Sequence, residues 1–319
     1  MSPTDKDEIP WERDLLREYI FKLYKEQVRD RRYRMFLKIL RAIGLIMVLV
    51  LVFQLGSNAQ QSPWQQSAAT SHVAYINIHG EIGGGQEADA DRLIPAIKTA
   101  FESENAKAIV LRIDSPGGSP VHSGRVYQEI MAQKELHPEK VVYAVIGDIG
   151  ASGGYYIAAA ADEIYADQSS LVGSIGVISS GFGFTELMDK LGIERRAITA
   201  GDNKALLDPF SPLDQETRKF WESVLDKTHQ QFIARVKQGR GDRLSDDPRI
   251  FSGLIWNGEQ ALEIGLIDGL GSMNSLARDV INETNLVDYT PNRDFISQLT
   301  NRAKVGVTSL LSEPAIRVY

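Results

Sequence analysis

The chain has 319 residues, enough for one large domain or two small ones. A net charge of −7 speaks against a nucleic-acid partner. The absence of cysteine excludes disulfides, thiolate metal sites and a cysteine nucleophile.

Residues 1–34 carry Trp11, Leu15, Tyr19 and Leu23 at helical spacing, followed by a basic run. This segment reads as an amphipathic, basic stretch. Met35–Leu55, MFLKILRAIGLIMVLVLVFQL, predicts one transmembrane helix once Lys38 and Arg41 snorkel to the interface. Lys25, Arg29, Arg31, Arg32 and Arg34 precede it, and no Lys or Arg follows it until Arg92. The positive-inside rule then keeps residues 1–34 in the cytoplasm. It puts the rest outside the cytoplasmic (inner) membrane, on the periplasmic side, with the bilayer as a partner. Residues 56–71 are polar, small and uncharged, and read as a flexible linker.

From 72 to 284 strands alternate with helices. His72–His79, Ala108–Ile113 and Lys140–Gly147 are expected strands, with helices over Asp89–Phe101 and Pro120–Met131 between them. Short strands are expected at Glu163–Ala166, Val172–Ile178 and Arg195–Thr199. A long helix opens at Asp214 with Trp221, Leu225, Phe232 and Val236 in register. Apolar strand runs with helices between them indicate an α/β fold with a buried sheet. Residues 285–319 read as a C-terminal tail.

Gly147–Ala161, GDIGASGGYYIAAAA, turns from a buried strand into a helix, and Ser152 sits on the turn. Such a turn exposes a hydroxyl and aims the following backbone N–H groups, Gly153 first, at a reacting oxygen. The turn DSPGGS at Asp114–Ser119 also ends a strand, and backbone donors at Gly117 and Gly118 are candidates for the same cleft. LVGSIG at Leu171–Gly176 places Ser174 near a strand.

A serine nucleophile needs a base. Gly150–Gly154 fits G-x-S-x-G, the elbow of hydrolases that use Ser, acid and His in that order. His229 is the one histidine after Ser152, and it falls inside the predicted long helix. The five histidines, His72, His79, His122, His137 and His229, form no HExxH or other metal spacing, so no metal is expected. Lys204, in TAGDNK, is the other candidate base; taken alone, a loop lysine is usually a solvated charge.

The set ASGGYYIAAAADEIYA, LVGSIGV and TAGDNK, with DSPGG upstream, resembles the signal peptide peptidase A (protease IV) family of Ser–Lys peptidases. The resemblance covers roughly His72–Leu276. It implies a ClpP/crotonase-like spiral fold behind the N-terminal anchor. It also implies a serine endopeptidase without cofactor that cleaves remnant signal peptides and other membrane-adjacent polypeptides. Ser152 matches the nucleophile, Lys204 the general base, Gly118 the oxyanion donor and Ser174 a hydroxyl that orients the lysine. Long members carry two copies of the domain, with serine and lysine in different copies. This chain has one copy, so a ring-shaped homo-oligomer is expected. Alternatives are a non-catalytic membrane scaffold that binds peptides, a crotonase-type acyl-CoA enzyme and a Ser-His-Asp esterase.

Overall fold

The computed structural model describes residues 10–58 and 69–291. The chain divides into two compact units, Met1–Pro63 and Trp64–Tyr319. In the first, one continuous helix α1 (Pro10–Asn58) covers both the expected amphipathic stretch and the expected span. Among the described residues no helix is long and apolar enough to cross a membrane. The side chains from 48 to 55, the apolar end of the expected span, lie outside the described residues, as do most of the linker and the tail beyond 291.

The second unit is built on a mixed α/β sheet. Its elements are β1 (His72–His79), α2 (Ala90–Glu102), β2 (Ala106–Ser115), α3 (Pro120–Leu136), β3 (Val141–Ala151), α4 (Gly153–Ala158), β4 (Glu163–Ala166) and β5 (Leu171–Gly173). There follow α5 (Thr185–Leu191), α6 (Gln215–Arg240), β6 (Ile255–Asn257), α7 (Gly258–Glu263), β7 (Gly269–Leu270) and β8 (Leu286–Asp288). The main path runs β6-β5-β3-β2-β1-β8, and β4 joins β3 to β7. Every pairing is parallel except β5 with β6. β8 lies within the segment expected as tail and pairs β1, Val73 opposite Leu286.

Alternation along the strands divides the core. Ala74, Ile76 and Ile78 of β1 join Ile109, Leu111 and Ile113 of β2 against Leu93, Ile97 and Phe101 of α2 and Val126 and Ile130 of α3. Val73, Val110 and Val145 form a smaller cluster with Leu276 and Ala277. Period-two patterning of this kind places successive side chains on opposite faces. Helix starts are capped from the sequence: Asp89 accepts from the Asp91 amide (2.9 Å), and Asp214 from the Thr217 amide (2.7 Å).

β3 forks the sheet. Tyr143–Ile146 pair with β4, whereas Ile149–Ala151 pair with β5. Gly147 and Asp148 lie at the split. There Ser170 Oγ donates to the Gly147 carbonyl (2.5 Å), and Asp114 accepts from the Ile149 amide (3.3 Å). The expected strand end at Gly147 is therefore a change of partner, and β3 runs on to Ala151. The expected strand over Val172–Ile178 stops at Gly173, where φ reaches +104°. Arg195–Thr199 is exposed and forms no strand.

Across the unit, Arg240 is almost fully buried and meets Asp268 through two hydrogen bonds (2.6 and 2.9 Å), with its Nε on the Gly265 carbonyl. Burial alone would raise the Asp268 pKa. The hydrogen bonds from Arg240 and the Ile164 amide, with the charges of Arg240 and Arg243, hold it below its ordinary value.

Candidate active site

Ser152 follows directly on Ala151, which is the register partner of Gly173 in β5. Its amide donates to the Gly173 carbonyl (2.8 Å), and its carbonyl accepts the first helical bond of α4 from Tyr156 (2.9 Å). Held at both ends, Ser152 takes φ +50° and ψ −119°. That is close to the first central position of a type II′ turn, which glycine usually fills. A non-glycine residue there stores about 1–3 kcal/mol of strain. The serine stands at the N-cap position, yet its side chain makes no capping bond.

Three glycines let the backbone close around it. A Cβ on Gly117 would lie 2.7 Å from the Ser152 Cβ and 2.8 Å from the Gly153 nitrogen. A Cβ on Gly118 would run into the Ile82 carbonyl, and one on Gly153 would sit 2.5 Å from Ser123 Oγ and 3.3 Å from the Gly118 nitrogen. The amides of Gly118 and Gly153 thus approach one another beside the serine, and neither donates to an acceptor among the described residues. Two unspent N–H groups, one at the start of α4 and one in the turn before α3, form the kind of donor pair that stabilises a developing oxyanion. Gly117 is different, since its amide donates to Ser115 Oγ (3.1 Å).

A cavity of about 150 Å³ opens at this point, lined in part by Gly118, Ser152, Gly153, Tyr156, Val177 and Phe232. Tyr156 and Phe232 pack ring on ring at 4.8 Å. No carboxylate, histidine or lysine lines the cavity.

Ser174 follows Gly173 and also takes φ +50°, with its amide on the Leu254 carbonyl (2.8 Å). It stands one residue past Gly173, as Ser152 stands one residue past Ala151, the register partner of Gly173, and it does not line the Ser152 cavity. Lys204 is elsewhere. It is exposed, in a turn closed by its amide on the Gly201 carbonyl (3.1 Å), and it does not line the Ser152 cavity. His229 has Nε2 on the Ile175 carbonyl (3.0 Å), so that ring ties α6 to the segment after β5.

A family model described as Peptidase family S49 matches residues 134–286, which takes in Ser152, Ser174 and Lys204. A Synechocystis protein named "Putative protease" is 33% identical over 207 residues, 65% of this chain and 72% of its own length. The chain belongs to peptidase family S49. Protease 4 of Haemophilus influenzae is 28% identical over 246 residues, covering 76% of this S49 chain and 40% of its own length. A Brucella abortus protein named Na(+)/H(+) antiporter NhaA is 40% identical over 259 residues, 79% of this chain. The S49 chain spans 35% of that relative's length.

The family match and the protease relatives support a protease function for the chain. Two contributors escaped the sequence reading. Ile82 forms an isolated parallel bridge with Gly118, and Ser115 lies fully buried behind the glycine turn. Neither has a local signal, because each acts through a contact to a distant segment.

Proposed function

We propose that this chain is a serine endopeptidase in which Ser152 is the nucleophile, Gly118 and Gly153 supply the oxyanion donors and Lys204 is the base. Ser152 Oγ attacks the scissile carbonyl. The neutral lysine amine takes its proton and passes it to the leaving amine. Water activated by the same amine then hydrolyses the acyl-enzyme. An ordinary lysine titrates near pH ~10.4, so the working amine must be enclosed from water to be neutral at its task.

One observation carries the reading further. A single chain gathers a strained serine and two free amides around a cavity that contains no base. We therefore place Lys204 of one copy at Ser152 of its neighbour, in a ring-shaped homo-oligomer. The segment that bears Lys204 supports this, since it exposes Ile178 (84%), Phe182 (82%) and Ile198 (100%). Apolar residues exposed together in this way mark an association surface. A heterologous contact of that kind closes into a ring or propagates as a filament, and the ring is the form we propose. Ser174 is the hydroxyl we assign to orient the incoming amine, as the family resemblance implies.

The substrates are extended apolar peptides with a small or apolar residue for the 150 Å³ cavity, remnant signal peptides among them. We further propose an anchor at 35–55 with the catalytic unit outside the cytoplasm, on the strength of the basic cluster before it and its absence after it. A reporter active only outside the cytoplasm should work after Ser71 and fail near Lys25; the reverse would refute the topology.

The deciding experiment mixes two dead proteins. Ser152→Ala keeps its lysine and Lys204→Ala keeps its serine. Random assembly makes about a quarter of the interfaces whole, so co-expressed full-length chains should regain roughly that fraction of activity. Mixed oligomers that demonstrably form and stay inactive would exclude the shared site.

A further inference from the structure

The reading of Ser152 and Gly118 as nucleophile and oxyanion donor leaves open why only one amide of the turn is free. Gly117, Gly118 and Ser119 offer three N–H groups in succession. Ser119 donates to the Ile82 carbonyl (2.7 Å), and the Ile82 amide returns a bond to the Gly117 carbonyl (2.8 Å). Gly117 donates to Ser115 Oγ (3.1 Å), and Ser115 Oγ donates in turn to the Gly80 carbonyl (2.6 Å). Ser123 Oγ donates to the Ser119 carbonyl (3.1 Å). Gly118 alone keeps its donor.

We infer that Ser115 is a positioning residue for the oxyanion donor. Its hydroxyl, fully buried, acts on both sides of the turn at once. It holds the Gly117 amide away from the substrate, and it ties the turn to the segment Gly80–Ile82 that braces Gly118. Both glycines have positive φ, +106° and +146°, and neither has a side chain to hold its peptide plane. Hydrogen bonds must therefore fix the orientation of the Gly118 N–H. Without the hydroxyl, the Gly117 amide becomes a buried donor lacking an acceptor, which the chain relieves by rotating that peptide. That rotation pulls on the Gly117 carbonyl, whose bond from the Ile82 amide sets the plane that carries the Gly118 N–H. Ser115 touches no substrate atom in this scheme; it acts through Gly117 and Gly118. The inference rests on the proposed role of Ser152.

The test compares full-length wild type and Ser115→Ala on a peptide substrate and two inhibitors. A peptide aldehyde adds to Ser152 and puts an oxygen in the donor pair, whereas a reduced-bond peptide, CH2–NH at the scissile position, binds without reacting. Loss of a complete oxyanion donor costs on the order of 100- to 1,000-fold in kcat, and misalignment costs less. We expect kcat to fall about 10- to 100-fold with KM nearly constant, scaled down from that value. The aldehyde should weaken by the same factor and the reduced peptide not at all. Equal weakening of both inhibitors, or of neither, would overturn the role of Ser115. If Ser115→Ala does not fold, Ser115→Cys keeps the volume, weakens both hydrogen bonds and carries the same split between inhibitors. Activity surviving in Ser152→Ala would instead remove the underlying reading, so the two failures are distinguishable.

Discussion

The Ser152 turn and the Lys204 segment are built to different standards. Ser152 sits between a paired strand and a helix, with its backbone bonded on both sides and glycines packed against it at contact distance. The stretch from Ile178 to Asp214 joins no strand, and its helix α5 buries no residue. It is held to itself instead. Phe184 stacks on Phe210 at 5.6 Å, Arg195 pairs with Asp208 at 3.4 Å, and the Phe184 amide bonds the Pro209 carbonyl at 2.7 Å. The difference teaches that one chain pre-organises the serine turn, while the segment that carries Lys204 is exposed and packs mainly on itself.

The sharpest way to break that contrast is to remove one member of each region. Ser152→Ala and Lys204→Ala should each lower kcat/KM by at least about 1,000-fold, as loss of a nucleophile or its base does. Appreciable activity in either variant, measured on a peptide with contaminants excluded, would remove that residue from the mechanism. Gly118→Ala comes next. Its methyl group meets the Ile82 carbonyl, so the donor must move, with an expected loss of about 100-fold or more in kcat. Unchanged kcat there would exclude Gly118 as a donor.

Stability should separate the regions in the opposite sense. Arg240→Met leaves the Asp268 carboxylate with Arg243 and the Ile164 amide but without its buried partner, and should cost up to about 3 kcal/mol in denaturant unfolding. Lys204→Ala, at an exposed turn, should stay within about 0.5 kcal/mol of wild type. The pair also fixes an acid limit. The folded Asp268 pKa lies below its ordinary 3.8, so its contribution is complete above that pH and is lost as pH falls through the lower, folded value. Asp268→Asn should flatten that acid dependence in unfolding curves; an unchanged slope would show that other carboxylates set it. The smallest effect is Ser152→Gly, which should abolish activity but relieve a strained φ and raise stability by about 1 kcal/mol. No gain in melting temperature would mean that the turn holds little strain.

What could be read from the sequence follows the same divide. The Ser152 turn was legible because its signals are local: an apolar strand, three glycines within five residues and a helix-forming run. The first strand, His72–His79, and the long helix from Asp214 were legible for the same reason, period and cap. The continuation of β3 to Ala151 was not, because the strand exchanges β4 for β5 at Gly147 and no periodicity records a change of neighbour. Arg195–Thr199 has strand-like residues but no sheet edge to receive them. Ser115 and Ile82 came to light only in three dimensions. Lys204 is distinguishable from any solvated lysine by family resemblance alone, since it is exposed in a turn and lines no part of the Ser152 cavity.

The positive φ at Ser152 also decides which amino acids evolution or an engineer can try there. A β-branched side chain is close to forbidden in that conformation. Threonine therefore fails as a replacement even though it brings the same hydroxyl to the same turn, whereas cysteine, unbranched at Cβ, fits the backbone and can be tested as a thiol nucleophile. In this turn the main chain filters the alphabet before reactivity is consulted.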